Sequence, residues 1–378
     1  MSSFLFNPFS HLPTYNPVGL LSMTGIVNYH GFDLSDLPKL TGKIAVITGG
    51  QAGIGREITA QLLLHGIAKV YILARSEGKY IDAKEEWTRK TSLSMSEIEK
   101  KTEFISCNLS DIKDVQKAAS SLLRKCSRCD ILIHNAGKKF LPARSVKLTR
   151  PLSALPMVPK YTLSPQGIDE VFATNHIGHF VLTNILLPLL ERTAAEHGTA
   201  RIVVTSSMLH LACQNLDLNL LTSPTGIKSP AFVDSAWRYA RSKLANILFT
   251  RELTRLLQKR GSSKVYANVY YPGNIPTEAM DAWKEMLGNL GGAVVKGLFK
   301  WIGQTTADAA TTALFLAASK DVEDRDLRGR YFIPIATEGK ITTIAQDKDL
   351  AKNLWYWSER KVAETLGEGW QEVDEADG

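Results

Sequence analysis

The chain contains 378 residues, of which 44% are hydrophobic and 22% charged, a composition typical of globular proteins rather than disordered or fibrous ones. The formal net charge of +7 is unevenly distributed, because residues 364–378 contain six acidic and no basic side chains. The remainder of the chain therefore carries a formal charge of +13, which favours anionic ligands or an anionic membrane surface. Nucleic acid is not expected as a partner, because no Arg-rich tract or recognition motif accompanies this charge.

Cysteine content and the N-terminal sequence bear on the compartment. Four cysteines in a chain of this length do not form a disulfide framework. Cys126 and Cys129 form a lone CxxC, but zinc would need two further ligands, so no metal site is expected. The first residues lack the basic region and apolar run of a signal peptide. We therefore expect an intracellular protein, either cytoplasmic or peripherally associated with a membrane.

Membrane contact is considered for two segments. No run of about 18 apolar residues marks a membrane-spanning helix. Residues 16–29 and 291–303 are weaker apolar segments with aromatic or basic flanks. Either segment could lie on a membrane surface, and the alternative is packing against the protein's own core.

Regular secondary structure is predicted to begin at residue 42, after an irregular N-terminal extension over residues 1–40. From there, short apolar runs rich in β-branched residues alternate with helical patterns. The predicted strands cover residues 42–50, 69–74, 101–107, 130–137, 200–207 and 264–273. The predicted helices cover residues 54–66, 111–126, 167–190 and 236–249. This alternation predicts an α/β fold in which a doubly wound parallel β-sheet has helices on both faces.

We assign residues 41–340 to this single domain and residues 341–378 to a C-terminal helix and acidic tail. Two long segments interrupt the alternation of strands and helices. Residues 138–166 are Pro-rich and basic, and residues 274–303 mix Gly, Met, Trp and Phe. Both segments leave the sheet at the carboxyl ends of its strands, which is the edge where ligands bind in open α/β sheets.

The sequence TGGQAGIG (48–55) lies between the first predicted strand and the first predicted helix. Gly49, Gly53 and Gly55 permit a tight turn, and the free N–H groups of the following helix can receive a phosphate. A Rossmann-type dinucleotide site is therefore predicted, with the spacing GxxxGxG. NAD-binding proteins usually place an acid about 20 residues further on, but here that position holds Arg75. A guanidinium suits a 2′-phosphate, so we expect NADP(H) as the cofactor.

Tyr239 and Lys243 are one turn apart on the predicted helix that contains AWRYARSKLANILF. A neighbouring ammonium favours the phenolate, so Lys243 is expected to lower the pKa of Tyr239 from its usual value of about 10. Such a phenol can protonate a carbonyl oxygen as hydride reaches the carbon, or accept a proton from an alcohol in the reverse direction. Ser206 and Ser207 end a central strand, where a hydroxyl can hydrogen-bond to the same oxygen.

These motifs together resemble those of the short-chain dehydrogenase/reductase family. The matching elements are TGGQAGIG, HNAG (134–137), TNHIGHF (174–180), VVTSS, YARSK and YPGNIPT (271–277), in the family's order. The resemblance extends from residue 43 to about residue 340. The stretches NHIGHFVLTNILLPLL and YARSKLANILFTREL are most similar to the retinol dehydrogenase-like branch, which acts on lipophilic alcohols and carbonyls.

The resemblance implies a role for each residue of the reactive group. Tyr239 would be the general acid or base, and Lys243 would lower its pKa and bind the nicotinamide ribose. Ser207 would orient the substrate oxygen, and Asn175 would hold a water molecule that relays protons to Lys243. The cofactor would supply the hydride, whereas the protein would supply orientation and the proton.

The resemblance also implies the cofactor contacts. The phosphate turn would be formed by Gly49, Gly53, Ile54 and Gly55. The adenosine side would be lined by Asn135, Ala136 and Gly137, and the carboxamide would be held by Pro272, Gly273, Ile275 and Thr277. Asn108 stands where the family often has an Asp that binds adenine, and its amide can still donate and accept there. Residues 274–303 would form a lid over the substrate.

The sequence therefore predicts an NADP(H)-dependent oxidoreductase that interconverts a lipophilic alcohol and its ketone or aldehyde. The loop over residues 138–166 is about a dozen residues longer than is usual in the family. Two alternatives are an NAD-linked dehydrogenase that works oxidatively and a non-catalytic NADP-binding regulator whose loops bind a protein. Members of the family often form dimers or tetramers, so a homo-oligomer is also considered.

Three histidines lie near these motifs. His176 and His179 are three positions apart on a predicted helix, but they lack a third metal ligand and are not expected to bind a metal. His210 is expected to line the substrate pocket rather than to act as an acid or base.

Overall fold

The computed structural model describes residues 31–138, 161–223, 231–273 and 305–372. Both segments considered for a membrane surface lie outside these ranges. The same holds for the lid, for most of the loop over residues 138–166, and for Ile275 and Thr277.

Eight strands form one sheet in the order β3-β2-β1-β4-β5-β6-β7-β8. The strands are β1 (Ile44–Thr48), β2 (Lys69–Ala74), β3 (Thr102–Ser106), β4 (Ile131–His134), β5 (Ala200–Thr205), β6 (Val265–Tyr270), β7 (Tyr331–Ile333) and β8 (Thr337–Glu338). Neighbouring strands are parallel except for β7 and β8, which pair antiparallel at one edge. The first six strands fall within the six predicted runs, which confirms the predicted doubly wound parallel sheet.

Helices cover both faces of this sheet, as predicted. They are α1 (Gly53–Leu64), α2 (Glu77–Thr91), α3 (Met95–Lys101), α4 (Ile112–Lys125), α5 (Gly178–His197), α6 (Ala231–Lys259), α7 (Thr306–Ala318) and α8 (Lys348–Leu366). One core contains side chains of α4, α5, α6 and α8, and the other contains side chains of α1, α2, α3 and α7.

Each central strand contributes to both cores, because successive side chains of a strand point to opposite faces. In β1, Val46 belongs to the first core, whereas Ala45 and Ile47 belong to the second. Burial on both faces is the reason why the strands read as continuous apolar runs in the sequence.

The helix predicted over residues 167–190 differs in its bounds and its geometry. Asp169 caps its first turn by accepting a hydrogen bond from the Phe172 N–H at 2.9 Å, so the helix begins after residue 169. A π-helical turn over Ala173–Ile177 then precedes α5, which continues to His197 and ends at Gly198, where φ is +102°. The helix predicted over residues 236–249 is also longer, because α6 spans Ala231–Lys259.

Helices α2, α3 and α7 and the strands β7 and β8 were not predicted from the sequence. Only Tyr80, Ala83 and Trp87 of α2 are buried, so its apolar pattern is sparse. Local signals were nevertheless present. The side chain of Ser76 accepts the hydrogen bond that caps α2, and Ser94 and Glu97 form a capping box at α3.

The C-terminal helix α8 packs onto the first core. Trp355 stacks against Phe249 of α6 with ring centroids 5.7 Å apart, and it forms a T-shaped pair with Phe180 of α5 with ring centroids 4.9 Å apart. These aromatic contacts join α8 to α6, which carries Tyr239 and Lys243, and to α5, which follows the turn that contains Asn175.

Candidate active site

The glycine turn between β1 and α1 has the geometry that close approach of a phosphate requires. Gly49 and Gly53 adopt φ values of +67° and +53°, a region that side chains disfavour. A Cβ at Gly55 would collide with the Gly49 carbonyl and the Asn135 side chain, so this position is closed to any larger residue. A Cβ at Gly53 would meet no atom within 4 Å, which leaves open space beside the start of α1. This cradle fits a dinucleotide phosphate.

Thr48, the residue before the turn, anchors the predicted adenosine segment. Its Oγ1 accepts hydrogen bonds from the backbone N–H groups of Asn135 and Ala136, both at 3.0 Å. The Asn135 side-chain amide donates to the carbonyl oxygens of Thr48 and Gly49 at 3.1 and 3.3 Å. The structure therefore brings the glycine turn and the segment Asn135–Gly137 together, and it adds Thr48, which the sequence had not identified.

His179 links Thr48 to Asn175. The His179 Nδ1 lies 3.1 Å from the Asn175 carbonyl oxygen, and its Nε2 lies 2.9 Å from Thr48 Oγ1. Burial lowers the pKa of His179 to about 4, so the imidazole is neutral. A carbonyl can only accept, so Nδ1 carries the proton and Nε2 accepts from the Thr48 hydroxyl. Thr48 Oγ1 thus donates once and accepts twice, which satisfies all of its hydrogen-bonding capacity.

Asn175 lies in the π-helical turn, and its side chain forms hydrogen bonds with two neighbouring segments. Its Oδ1 accepts from the Lys138 N–H at 2.7 Å, and its Nδ2 donates to the Lys138 carbonyl at 3.1 Å and to Ser242 Oγ at 2.9 Å. The side chain is fully buried. Asn175 therefore connects the chain that follows β4 to α6, one residue before Lys243.

Tyr239 and Ser207 are hydrogen-bonded to each other through their side chains. Ser207 lies directly after β5, where its Oγ also accepts from the Leu209 N–H at 3.2 Å and starts a 3₁₀ turn. The two hydroxyls meet at the carboxyl edge of the central strand β5, as the sequence predicts for a pair that binds one substrate oxygen.

Ser206 has a different environment from Ser207. It is buried, and its hydroxyl donates to the Lys243 carbonyl at 2.8 Å. Ser206 therefore fixes α6 against β5, and its hydroxyl is used within the protein.

Lys243 is buried, and its side chain lies close to the Tyr239 ring. Its side chain donates to the Thr205 carbonyl at 3.0 Å, and its Nζ lies 5.5 Å from the centroid of the Tyr239 ring. Asn246 donates to the same carbonyl at 2.9 Å. The ammonium is thus held at the end of β5, close to the phenol.

The prediction that Lys243 lowers the pKa of Tyr239 is wrong for the cofactor-free protein. Burial raises the pKa of Tyr239 to about 12, and the hydrogen bond with Ser207 offsets only part of this effect. Burial also lowers the pKa of Lys243 to about 8. Both shifts have the same physical reason, because a low-dielectric environment disfavours the charged form of each group.

The two remaining histidines considered from the sequence have structural partners. His176 Nε2 lies 3.2 Å from Ser358 Oγ of α8. His210 is fully buried, its Nδ1 lies 2.7 Å from the Ser207 carbonyl, and burial lowers its pKa to about 4. In the part of the chain that the structure describes, no group of His, Cys, Asp or Glu side chains could hold a metal ion.

Arg75 follows β2 and is exposed, at the same sheet edge as the glycine turn. Its positive charge contributes to a lowered pKa of Glu170, whose carboxylate lies 2.5 Å from Lys138 Nζ. Burial alone would raise the pKa of Glu170, but hydrogen bonds from Lys138 and Thr162 and the charges of Lys138 and Arg75 lower it.

Asn108 follows β3 at this edge. Its Oδ1 accepts from the Ser110 N–H at 3.3 Å and from Ser110 Oγ at 2.9 Å. The oxygen of this amide, which was expected to be able to accept a hydrogen bond at the adenine site, therefore already has partners within its own turn.

Pro272 and Gly273 follow β6 at the carboxyl edge, and Gly273 adopts a φ of +96°. Tyr271, just before them, is buried. Burial raises the pKa of the Tyr271 phenol, and the negative charge of an ionised Tyr239 raises it further. Tyr271 was not identified from the sequence.

Two further observations bear on the sequence predictions. All four cysteines are buried free thiols. Among the described helices, none has both the length and the apolarity needed to cross a membrane.

Comparison with known proteins gives concordant matches. A family model described as short chain dehydrogenase matches residues 43–215. A short-chain dehydrogenase/reductase of Armillaria gallica is 31% identical over 327 residues, which cover 86% of this chain and 92% of that protein. Retinol dehydrogenase 14 of Mus musculus is 31% identical over 334 residues, which cover 85% of this chain and 86% of that protein.

A solved structure has the same architecture. An uncharacterized protein of Mycobacterium paratuberculosis superposes with a TM-score of 0.61 at 27% sequence identity. The match covers 88% of this chain and 97% of that protein.

Proposed function

Because the chain belongs to the short-chain dehydrogenase/reductase family, whose members are oxidoreductases that use nicotinamide cofactors, we propose that it is an NADP(H)-dependent enzyme that interconverts a lipophilic alcohol and its ketone or aldehyde. The observation that carries this proposal is the convergence of Ser207, Tyr239 and Lys243 at the carboxyl end of β5. The glycine turn lies at the same edge of the sheet, after β1.

The cofactor supplies the hydride when it is bound. Tyr239 and Ser207 are hydrogen-bonded to each other through their side chains, so both hydroxyls can hydrogen-bond to one substrate carbonyl oxygen. With a pKa of about 12, Tyr239 is protonated at neutral pH and is ready to donate its proton to that oxygen. Donation to a carbonyl oxygen requires this protonated state, whereas proton removal from an alcohol requires the phenolate.

Lys243 stabilises the phenolate that remains after proton donation. With a pKa of about 8, it is mostly protonated at pH 7, and its ammonium lies beside the Tyr239 ring. Proton donation by Tyr239 creates a negative charge next to this ammonium, and their attraction is strong because both groups are buried. Asn175 acts as a positioning residue, because it joins the Lys138 backbone to Ser242, the residue before Lys243.

The preference for NADP(H) rests on Arg75. Its exposed guanidinium at the end of β2 is available for a 2′-phosphate, and the side chain of Ser76 is engaged in capping α2. A lipophilic substrate is supported by the similarity to a protein named retinol dehydrogenase 14.

The first experiment compares the binding of NADPH and NADH to the wild-type protein and to Arg75→Glu. We expect wild type to prefer NADPH, and we expect the variant to lose this preference because a carboxylate repels the 2′-phosphate. Arg56→Glu is the matched control, since Arg56 is an arginine near the turn that pairs with Glu86. Equal affinity for the two cofactors in wild type would favour the NAD-linked alternative.

The second experiment tests the proton donor. Tyr239→Phe should retain NADPH binding and lose turnover of a panel of lipophilic ketones, aldehydes and alcohols. Tyr356→Phe is the control, because Tyr356 is 65% exposed on α8. Turnover that is unchanged in Tyr239→Phe would contradict the proposed proton transfer. Cofactor binding by wild type without turnover of any tested substrate would favour the non-catalytic alternative.

A further inference from the structure

A cavity of about 350 Å³ lies apart from the glycine turn, where α6 meets the β7–β8 hairpin. Arg251 of α6 lines it, together with Arg330, Glu338 and Lys340 from the hairpin region. Among the described lining residues, three side chains are therefore basic and one is acidic. Its size is within the range of small-molecule sites.

Arg251 is the group that distinguishes this cavity from an ordinary charged surface. It is half-buried, and no carboxylate of the described residues lies within ion-pair distance of it. Other arginines of α6 do have such partners, since Arg238 pairs with Asp234 at 2.9 Å and Arg255 with Glu252 at 2.6 Å. A half-buried charge without a counter-ion is unfavourable, so an anion from solution would be stabilising here.

The neighbouring charges do not neutralise Arg251. Glu338 lies 3.0 Å from Arg330 Nη1, so the only carboxylate among the described lining residues is already paired. Arg330 lines the same cavity, and burial together with repulsion by the positive charge of Arg330 lowers the pKa of Arg251. An anion between them would turn this repulsion into attraction.

We propose that this cavity binds a small phosphate monoester, with Arg251 and Arg330 as its main donors. The guanidiniums of Arg251 and Arg330 both line the cavity, and a phosphate monoester has several anionic oxygens that can accept hydrogen bonds from both. Planar guanidinium groups also match the spacing of phosphate oxygens and can bind them through paired hydrogen bonds. The proposal does not depend on the reaction at Tyr239.

The test is a calorimetric titration of the purified protein with glycerol 2-phosphate at constant ionic strength. We expect one saturable site in wild type and at least tenfold weaker binding in Arg251→Gln and in Arg330→Gln. Arg255→Gln is the control on the same helix, because Arg255 does not line the cavity. Arg75→Gln is the control for phosphate binding at the dinucleotide site. Both controls should bind within about twofold of wild type.

Thermal unfolding provides a second measurement. Because no carboxylate of the described residues pairs with Arg251, Arg251→Gln should fold and be at least as stable as wild type. Added glycerol 2-phosphate should stabilise only wild type and the two controls. Non-saturating heats, or equal weakening in all four variants, would indicate an adventitious ion only and would overturn the proposal. Binding lost in Arg75→Gln but kept in Arg251→Gln would instead place the phosphate at Arg75, in the dinucleotide site, and would overturn the proposal.

Discussion

The Thr48 hydroxyl and the His179 imidazole lie 2.9 Å apart in the core, although 131 positions separate them in the chain. Through this contact the strand end that precedes the glycine turn is joined to the π-helical turn that holds Asn175. The link is entirely buried, so its hydrogen bonds cannot be replaced by solvent.

Removing the Thr48 hydroxyl should therefore lower the free energy of unfolding. Thr48→Val keeps the shape of the side chain but leaves the N–H groups of Asn135 and Ala136 without their acceptor. We expect a loss of about 2–4 kcal/mol in the free energy of unfolding, measured in urea, together with weaker NADPH binding. Thr48→Ser keeps the oxygen and should lose less than about 1 kcal/mol. Equal stability of the Val and Ser variants would show that the hydroxyl is not needed.

The two neighbouring serines should separate catalysis from stability. Ser207→Ala removes the partner of Tyr239 and should reduce turnover by at least a hundredfold, with little effect on unfolding. Ser206→Ala removes a buried hydrogen bond to the Lys243 carbonyl and should cost about 1 kcal/mol of stability. Turnover and urea unfolding are measured for both variants. The opposite pattern would exchange the roles of the two serines.

The buried ammonium of Lys243 should make stability depend on pH. Its pKa is about 8 in the folded cofactor-free protein but near 10.5 in the unfolded chain, so the unfolded chain binds more protons between these values. The free energy of unfolding should therefore rise as pH increases from 8 towards 10, by about 2–3 kcal/mol from this group. Above pH 10 the raised pKa of Tyr239 acts in the opposite direction, since the unfolded phenol loses its proton first.

The measurement compares urea unfolding of wild type and Lys243→Met from pH 7 to 10. The difference between the two proteins isolates the lysine, because all other titrating groups are shared. A difference that stays constant over this range would show that Lys243 keeps an ordinary pKa.

Helix α8 should be necessary for the stability of the first core. Trp355→Ala removes the ring that stacks on Phe249 and contacts Phe180, and we expect a loss of about 3–5 kcal/mol in the free energy of unfolding. Tyr356→Ala, at the next position but 65% exposed, should change it by less than about 0.5 kcal/mol. A loss for Trp355→Ala as small as that of the control would mean that α8 contributes little to the core.

The fold and the reactive group differ in how they could be predicted. The central strands were found because burial on both faces makes them mainly apolar runs. The edge strand β3 was recognised from the short run KTEFISC although it is only partly buried, and the short strands β7 and β8 were not predicted. Tyr239 and Lys243 were found because their spacing is local to one helix. Helices α2 and α3 were missed because few of their residues are buried, although capping residues such as Ser94 mark their starts. Helix α7 was also missed, although most of its residues are buried and Thr305 and Asp308 form a capping box at its start.

The sequence by itself determined the alternation of strands and helices, the glycine turn and the order of the motifs, because these depend on local spacing and side-chain type. Only the tertiary structure decided which serine is hydrogen-bonded to Tyr239 and that Thr48 and His179 are partners. It also decided that no carboxylate of the described residues pairs with Arg251. It also reversed the expected direction of the Tyr239 pKa shift. Burial and long-range pairing arise only when distant segments pack together, and they determine the energies of charged and hydrogen-bonding groups.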